Sequence, residues 1–339
     1  MQTHLTRRKF ILQSGAAVIG AALPLSFVTQ STESMRKATQ YEVIIIGGSY
    51  SGLAAAMALG RAMRRVVVID SGEPCNRQTP QSHNFLTQDG SSPHDISMLA
   101  KQQVAAYDTV EFLNDRAVHG KNTAHGFEIQ TKSGAVLSAQ KLIFATGIQD
   151  MMPQIEGFSE CWGKSVLHCP YCHGYEVRGV PTGIIGNGES GFEMAKLIHH
   201  WASDCTIFTQ GKATFTPEQL SAFERHSIRV DERKIEVIQH TSGYVHSLVF
   251  EGGATIPIDV LYSRQPFTQH CNLPELLGCT LTEDGYLAVD AMQRTTIPGI
   301  FACGDNSTRM RTVANAIATG TTAGMMLNKE LIEEQFTTF

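Results

Sequence analysis

Two cysteines three positions apart are the residues best suited to chemistry in this sequence. Cys169 and Cys172 lie in the segment H-C-P-Y-C-H-G-Y-E at residues 168–176. A pair with this spacing can close a small disulfide ring. Such rings often contain a thiol of lowered pKa, and the thiolate is the attacking species. His173, next to the second cysteine, is a candidate acid–base group near neutral pH. The segment predicts redox chemistry at sulfur.

Other interpretations of this cysteine pair stay open at this point. Cys169, Cys172 and a histidine could form half of a zinc site, but no second C-x-x-C completes one, and we predict no metal site. The pair could also be a structural disulfide or two inert thiols. The other six cysteines, at positions 75, 161, 205, 271, 279 and 303, are scattered and are interpreted as core or surface residues.

A glycine-rich turn predicts a dinucleotide site early in the chain. The apolar run Tyr41 to Ile46 suits a strand buried on both faces, and residues 47–52 then read G-G-S-Y-S-G before an alanine-rich helix over residues 53–63. The N-terminus of that helix would present free N–H groups and a positive dipole end to a pyrophosphate. Asp70 ends the next strand, where a carboxylate can accept hydrogen bonds from an adenosine ribose. The candidate contacts are Gly47, Gly48, Ser49, Ser51, Gly52 and Asp70, with Ser49 in place of the usual second glycine.

A second unit of the same kind occurs in the middle of the chain. A short strand over residues 182–185 precedes G-N-G-E-S-G at 186–191, a helix through His200 and a strand over residues 205–209. Gly186, Gly188 and Gly191 are the candidate contacts of a second nucleotide. Units of this kind imply parallel sheets with right-handed crossovers.

Length and element order predict an α/β fold with two Rossmann-like, three-layer nucleotide-binding domains, the second inserted into the first. A chain of 339 residues suggests about two domains. A strand at 141–144, a strand at 299–303 and a helix over 313–334 would complete the first domain. The expected boundaries are 1–40 for a signal and linker, 41–155 and 283–335 for the two parts of the first domain, and 156–282 for the inserted domain.

Composition excludes several classes of protein. Hydrophobic residues make up 42% of the chain and charged residues 17%, which is too apolar for a disordered protein. The net charge is −5, and no basic block follows residue 40, so we expect no nucleic-acid partner. After the N-terminus no segment has the roughly 20 apolar residues needed to span a bilayer.

The N-terminus has the features of an export signal. Arg7 and Arg8 precede an uncharged apolar stretch from Ile11 to Val28, which predicts export by the twin-arginine route and a periplasmic or membrane-tethered location. If the true start is Met35 instead, the protein is cytoplasmic. An uncleaved anchor is the other alternative, because no clean A-x-A cleavage site is visible.

The order of these landmarks resembles the thioredoxin reductase-like flavoproteins of the pyridine nucleotide–disulfide oxidoreductase class. The resemblance covers about residues 41–330. It is carried by I-I-I-G-G-S-Y-S-G at 44–52, A-T-G at 145–147, C-P-Y-C-H-G-Y-E at 169–176, G-N-G-E-S-G at 186–191 and F-A-C-G-D at 301–305.

The resemblance implies two cofactors and a role for each motif. The first turn would hold FAD, and the second would bind NADPH or NADH. Cys172 would face the flavin and Cys169 the external substrate, a thioredoxin-like protein or a small disulfide or dithiol, and the inserted domain would rotate between the two. The resemblance also suggests a homodimer. Further flavin contacts are implied at Asn84, Thr146, Gly147, Gly304, Asp305, Arg311, Thr312 and Val313.

Two positions depart from the family pattern. His173 stands where thioredoxin reductases have an aspartate, which is similar to the branch that includes gliotoxin-type dithiol oxidases. The strand after the second turn leads into Gln210, Gly211 and Lys212, without the arginine cluster that selects NADPH or an acidic residue for NADH. This turn could therefore bind NADPH weakly, bind NADH or serve only as scaffold.

Three functional hypotheses follow. The first is a reductase in which NAD(P)H reduces FAD, FAD reduces the Cys169–Cys172 disulfide, and the thiols reduce an external disulfide. The second is an exported dithiol oxidase that works in the opposite direction, with oxygen or another acceptor. The third is a flavin-binding redox sensor without catalysis.

Overall fold

The structure is a computed structural model that describes residues 39–202 and 204–337. The predicted twin-arginine signal lies outside the described residues. Within those residues, no helix is both long enough and apolar enough to cross a membrane.

A seven-stranded sheet forms the centre of the first domain. Its order is β3-β2-β1-β6-β5-β4, with β17 beside β6. The strands are β1 (Thr39–Ile46), β2 (Val66–Asp70), β3 (Val110–Asn114), β4 (Ala117–Thr123), β5 (Gly126–Thr131), β6 (Val136–Phe144) and β17 (Ile300–Ala302). All neighbours pair in parallel except β4, β5 and β6, which form an antiparallel meander. The parallel part is the first predicted nucleotide fold.

Apolar residues on both faces explain why this sheet is buried. In β1, Val43 and Ile45 pack into one core and Ile44 and Ile46 into another. The first core is closed by residues of the helices α1 (Tyr50–Arg61), α2 (Pro93–Val104) and α8 (Val313–Thr337). The helices α1 and α8 pack closely, because a Cβ at Gly320 would lie only 2.1 Å from the Ser51 carbonyl oxygen.

A five-stranded parallel sheet forms the centre of the inserted domain, in the order β11-β10-β9-β15-β8. A three-stranded antiparallel sheet, β12-β13-β14, packs beside it. These strands are β8 (Val166–Leu167), β9 (Pro181–Ile185), β10 (Asp204–Phe208), β11 (Arg229–Asp231), β12 (Ile235–Thr241), β13 (Tyr244–Phe250), β14 (Thr255–Pro257) and β15 (Val260–Ser263). The helices are α3 (Phe158–Cys161), α4 (Pro170–His173), α5 (Gly188–Ile198) and α6 (Pro217–Arg225). The predicted fold class, two Rossmann-like domains with the second inserted, is confirmed.

The chain passes between the two parts through a pair of short antiparallel strands, β7 (Ile148–Asp150) and β16 (Phe267–Gln269). After β16, α7 (Leu273–Leu276) follows. Leu273 and Leu277 pack into the core of the first sheet. The chain thus rejoins the first core before residue 283, where the second part of that domain was expected to begin.

Candidate active site

The cysteine pair occupies a single helical turn. Cys169 is the N-cap of α4, and Pro170 is its first residue, a position where the missing N–H costs no helical hydrogen bond. The Cys172 N–H donates to the Cys169 carbonyl oxygen over 3.3 Å. The two residues form a disulfide with Cα atoms 5.3 Å apart, and both are half-buried. The two sulfurs are bonded to each other.

His173 is the last residue of α4 and lies in a charged, partly buried environment. Burial lowers its pKa, the charge of His83 lowers it further, and Glu176 raises it. His83 belongs to the first domain, whereas Glu176 belongs to the cysteine segment. An imidazole with a lowered pKa is neutral at pH 7 and can accept a proton from a thiol.

His168, on the other side of the pair, is a neutral imidazole. Burial, with the charges of Arg311, His173 and Arg264, lowers the pKa of His168 to about 3. Its ring stacks on Trp162, with the ring centres 5.8 Å apart. The cysteine segment lies against the first domain, because the Glu176 Oε1 is 3.6 Å from the His83 Nδ1.

The first glycine turn has the geometry of a phosphate-binding turn. Gly47 has φ +105°, and a Cβ there would lie 2.2 Å from the Ala145 carbonyl oxygen, which only glycine tolerates. A Cβ at Gly52 would lie 1.9 Å from the Gly47 carbonyl oxygen. Ser49 is the N-cap of α1 but makes no capping hydrogen bond through its side chain, so the first N–H groups of the helix keep their donors for a ligand.

Asp70, at the end of β2, is hydrogen-bonded to this turn. Its Oδ1 accepts a hydrogen bond from the Gly48 N–H over 3.1 Å. A Cβ at Gly48 would lie 2.8 Å from the Asp70 Cβ. Asp70 therefore shapes the turn as well as being the predicted ribose acceptor.

The C-terminal motif lies next to the first turn. Gly304 has φ +83°, and a Cβ there would lie 2.5 Å from the Ser51 Oγ. Thr312 is the residue before α8, and its Oγ1 accepts from the Asn315 N–H over 3.1 Å, so it caps the helix that begins at Val313. The structure thus places Gly304 against Ser51, and the roles of Gly304, Thr312 and Val313 as flavin contacts stay predictions.

A buried ion-pair cluster follows this motif. Arg311 donates to both carboxylate oxygens of Asp150 over 2.8 Å, and its Nε lies 3.6 Å from the Asp305 Oδ2. Burial alone would lower the pKa of Arg311, but the hydrogen bonds and charge of Asp150 raise it above its ordinary value. Burial raises the pKa of Asp305, against the opposing charge of Arg311. Such a bidentate pair fixes the guanidinium group in one orientation.

Asn306 ties this loop to the A-T-G segment. It is fully buried, and its Nδ2 donates to the Phe144 carbonyl oxygen over 2.9 Å and to the Thr146 Oγ1 over 3.3 Å. Gln269 of β16 donates to the Asn306 carbonyl oxygen over 3.0 Å. Gly147, the last residue of A-T-G, has φ +63°.

Orphaned polar atoms around these residues fit a polar ligand. Among the described residues, the buried side-chain atoms without a hydrogen-bond partner include Asn306 Oδ1, Gln269 Oε1, Arg311 Nε and His168 Nε2. Buried polar atoms without partners are rare in native proteins unless something else satisfies them. Together with the glycine cradle, they fit the pyrophosphate, ribityl and ring edges of FAD.

The second glycine turn is intact but internally bonded. Gly186 and Gly191 pack closely, because a Cβ at Gly191 would lie 2.8 Å from the Gly186 carbonyl carbon. Gly188, with φ +56°, begins α5. The Asn187 Oδ1 accepts from the Gly188 N–H, the Thr214 N–H and the Thr214 Oγ1 over 2.8, 2.9 and 3.0 Å. These donors are the kind that a nucleotide phosphate would use.

Several residues near the site were missed by sequence analysis, and one predicted contact is exposed. Asp150, Asn306 and His83 lie in unrelated segments, so no local spacing pointed to them. Cys75, interpreted as a core or surface cysteine, has its Sγ 3.8 Å from the Asp305 Oδ2. Asn84 has an exposed side chain, and its backbone N–H donates to Asp89, so its role as a flavin contact stays a prediction.

Two Rossmann-type folds, with a disulfide on the inserted one facing residues of the other, define a nucleotide-dependent oxidoreductase that acts on disulfides. The family model for pyridine nucleotide-disulphide oxidoreductases matches residues 41–320. The chain belongs to this family, among its thioredoxin reductase-like members.

Curated relatives and a solved structure agree with that assignment. Thioredoxin reductase tcpT of Claviceps purpurea (strain 20.1) is 32% identical over 304 residues, covering 86% of this chain and 95% of that protein. Thioredoxin reductase aclD of Aspergillus oryzae (strain ATCC 42149 / RIB 40) is 31% identical, covering 86% and 96%. The crystal structure of an oxidoreductase from Agrobacterium tumefaciens matches with a TM-score of 0.81 and 33% identity, covering 87% of this chain and 99% of that one. The protein is a flavoprotein oxidoreductase whose family cofactors are FAD and NADPH or NADH.

Proposed function

We propose that the protein passes electrons from NADPH or NADH to the Cys169–Cys172 disulfide and on to a disulfide of a thioredoxin-like protein or small molecule. When bound, FAD supplies the two-electron carrier between the nucleotide and the disulfide. The observation that carries the proposal is the position of the disulfide. The disulfide is half-buried, and the segment that carries it is flanked by His168 and His173. The charge of Arg311 in the first domain lowers the pKa of His168, and the charge of His83 lowers that of His173.

The substrate step is a pair of thiol–disulfide exchanges between sulfur atoms. The Cys169 thiolate attacks one sulfur of the substrate disulfide, which forms a mixed disulfide and releases the other substrate sulfur as a thiolate. Cys172 then attacks the Cys169 sulfur, which re-forms the Cys169–Cys172 bond and releases the first substrate sulfur. The substrate gains two electrons from the cysteine pair, and the two released thiolates take up the two protons that the cysteines gave up.

His173 is the proposed carrier of one of these protons. Burial and the charge of His83 lower its pKa, so at pH 7 it is neutral and can take the proton of a cysteine thiol. It can then return this proton to the departing substrate sulfur. Asp150 holds Arg311 in one orientation, and the charge of Arg311 contributes to the lowered pKa of His168.

An anaerobic stopped-flow experiment tests the direction of electron flow. NADPH or NADH should bleach the flavin absorbance of the purified protein within seconds, and a thioredoxin-like disulfide should restore the colour. As a control, the Cys169→Ser/Cys172→Ser double variant should still be bleached by the nucleotide but not by dithiothreitol. If neither nucleotide bleaches the flavin while dithiothreitol does so rapidly, the reductase proposal is wrong.

A second candidate function is a dithiol oxidase that uses oxygen or another acceptor without NAD(P)H. The second glycine turn favours it. The three donors that could face a phosphate already bind Asn187, and the segment 209–216 carries no arginine and no acidic residue. Export by the twin-arginine route, which we retain as a proposal with the homodimer, would also favour it, because nicotinamide nucleotides are expected to be scarce outside the cytoplasm.

A further inference from the structure

A loop of the first domain projects a histidine toward the cysteine segment. Residues 82–91 form a compact loop closed by backbone hydrogen bonds from Ser82 N–H to the Ser91 carbonyl oxygen and from Gly90 N–H to the Ser82 carbonyl oxygen, over 2.8 and 2.9 Å. The Asp89 Oδ1 accepts from the Asn84 N–H over 2.8 Å. Hydrogen bonds within the loop therefore close it, and His83 lies in this closed loop.

The His83 side chain connects the first domain to the inserted domain through its contact with Glu176. Its Nδ1 lies 3.6 Å from the Glu176 Oε1 and 3.6 Å from the Asp89 Oδ1, and 16% of its side chain is exposed. Glu176 is three residues beyond His173 on the cysteine segment. The electrostatic neighbours of His173 are His83, Glu176 and His168, and those of His83 are Asp89, Glu176 and His173.

We propose that His83 and Glu176, which meet across the two domains with 3.6 Å between the His83 Nδ1 and the Glu176 Oε1, are positioning residues that act through His173 beside the Cys169–Cys172 pair. This inference rests on the proposed function, in which His173 is the acid–base group of thiol–disulfide exchange. Nothing in the family match assigns either residue a role.

The two neighbours act on His173 in opposite directions. The charge of His83 lowers the pKa of His173 and favours the neutral ring, which accepts the proton of a cysteine thiol. Glu176 raises the pKa of His173 and favours the protonated ring, which returns that proton to the leaving sulfur. The neutral form of His173 accepts the proton, and Glu176 keeps the protonated form accessible for the return step.

The distances argue against a purely structural role for the pair. Both contacts of His83 are 3.6 Å long, beyond a good hydrogen bond, and Glu176 is partly exposed. Ion pairs of this kind contribute little to stability. The loop is closed by backbone bonds that do not involve the His83 ring, so removing the ring should leave the fold intact.

The test measures the proton affinity of His173 without requiring turnover. The holoprotein is reduced with dithiothreitol under anaerobic conditions and freed of it. The rate of Cys169 alkylation by iodoacetamide is then followed by mass spectrometry from pH 5 to 9. The inflection that disappears in His173→Gln is assigned to His173. His83→Gln should displace that inflection to higher pH, and Glu176→Gln should displace it to lower pH.

The control is His125→Gln, an exposed histidine in the turn between β4 and β5, which should leave the profile unchanged. Displacements in the same direction, or none in either variant, would overturn the inference. If one variant fails to fold, the sign obtained with the other decides alone. Alkylation needs no nicotinamide nucleotide and no substrate, so a failure of the reductase proposal in stopped flow leaves this result readable by itself.

Discussion

The two cysteines are chemically alike but occupy different positions in α4, and this difference should be visible in single variants. Cys169→Ser leaves the sulfur of Cys172, the one proposed to face the flavin, so a thiolate there should give a long-wavelength charge-transfer absorption. Cys172→Ser leaves Cys169 and should not. Both variants should lose disulfide turnover by about 10³-fold or more, because neither exchange step is complete with one sulfur.

Absorption spectra and turnover of the two purified variants give the measurement. A charge-transfer band in Cys172→Ser and none in Cys169→Ser would reverse the assignment of the sulfurs. Cys205→Ser is a suitable control because that cysteine is buried in the inserted domain, where burial raises its pKa to about 12 and keeps its thiol protonated.

At the same scale, the sequence predicted residues whose spacing is local and missed those that meet only in three dimensions. The glycines of both turns and the C-x-x-C pair are recognised within a few positions of one another. Asp150 and Arg311 are separated by 161 positions, and a single sequence gives no sign that they bond. His83 was likewise invisible, because its partner Glu176 belongs to the other domain.

Among the elements, α8 determines how closely the C-terminal motif approaches the first turn. Gly320→Ala would put a Cβ 2.1 Å from the Ser51 carbonyl oxygen, so α1 and α8 would have to separate. Overpacking of this kind costs about 1–3 kcal/mol, more than the helix propensity that alanine gains over glycine. We expect a lower urea midpoint and a lower ratio of bound flavin to protein.

Met325→Ala is the matched control, because Met325 lies on the same helix and is 55% exposed. It should change the free energy of unfolding by less than about 0.5 kcal/mol. Gly320→Ala protein with the flavin content and urea midpoint of the wild type would show that the two helices do not constrain the site.

Element prediction succeeded where apolar runs were strong. The strand predicted from Tyr41 is β1, and the helix predicted over residues 313–334 is α8 with three more residues. The helix α2 was not predicted, since its buried residues are only Pro93, Ile96 and Val104 and the rest of its sequence is polar. The start of α2 could have been predicted from the sequence, because Ser92 is a standard N-cap residue. In the structure its side chain accepts a hydrogen bond from the Asp95 N–H.

In the molecule as a whole, the two domains have separate cores. Every buried apolar cluster of the described chain lies either within residues 152–262 or within residues 41–145 and 271–331, and none combines the two. The two crossings of the chain are adjacent, because Asp150 in β7 pairs with Phe267 in β16. An inserted domain attached through one short strand pair can be removed without cutting a core.

This geometry predicts that residues 151–266 can be replaced by Asn-Gly. The substitution would turn β7 and β16 into a hairpin with a two-residue loop, for which Asn-Gly is the favoured turn sequence. We expect the shortened protein to fold and bind FAD but to show no disulfide turnover. The fragment 151–266 should fold without flavin and keep Cys169 and Cys172 oxidised. Flavin absorbance, far-UV circular dichroism and thiol titration check the two products.

As a control, Gly52→Val in the shortened protein should abolish its colour. A shortened protein that precipitates without flavin, together with an unfolded fragment, would mean that the polar contacts between the domains, such as His83 with Glu176, are needed for folding as well as for chemistry.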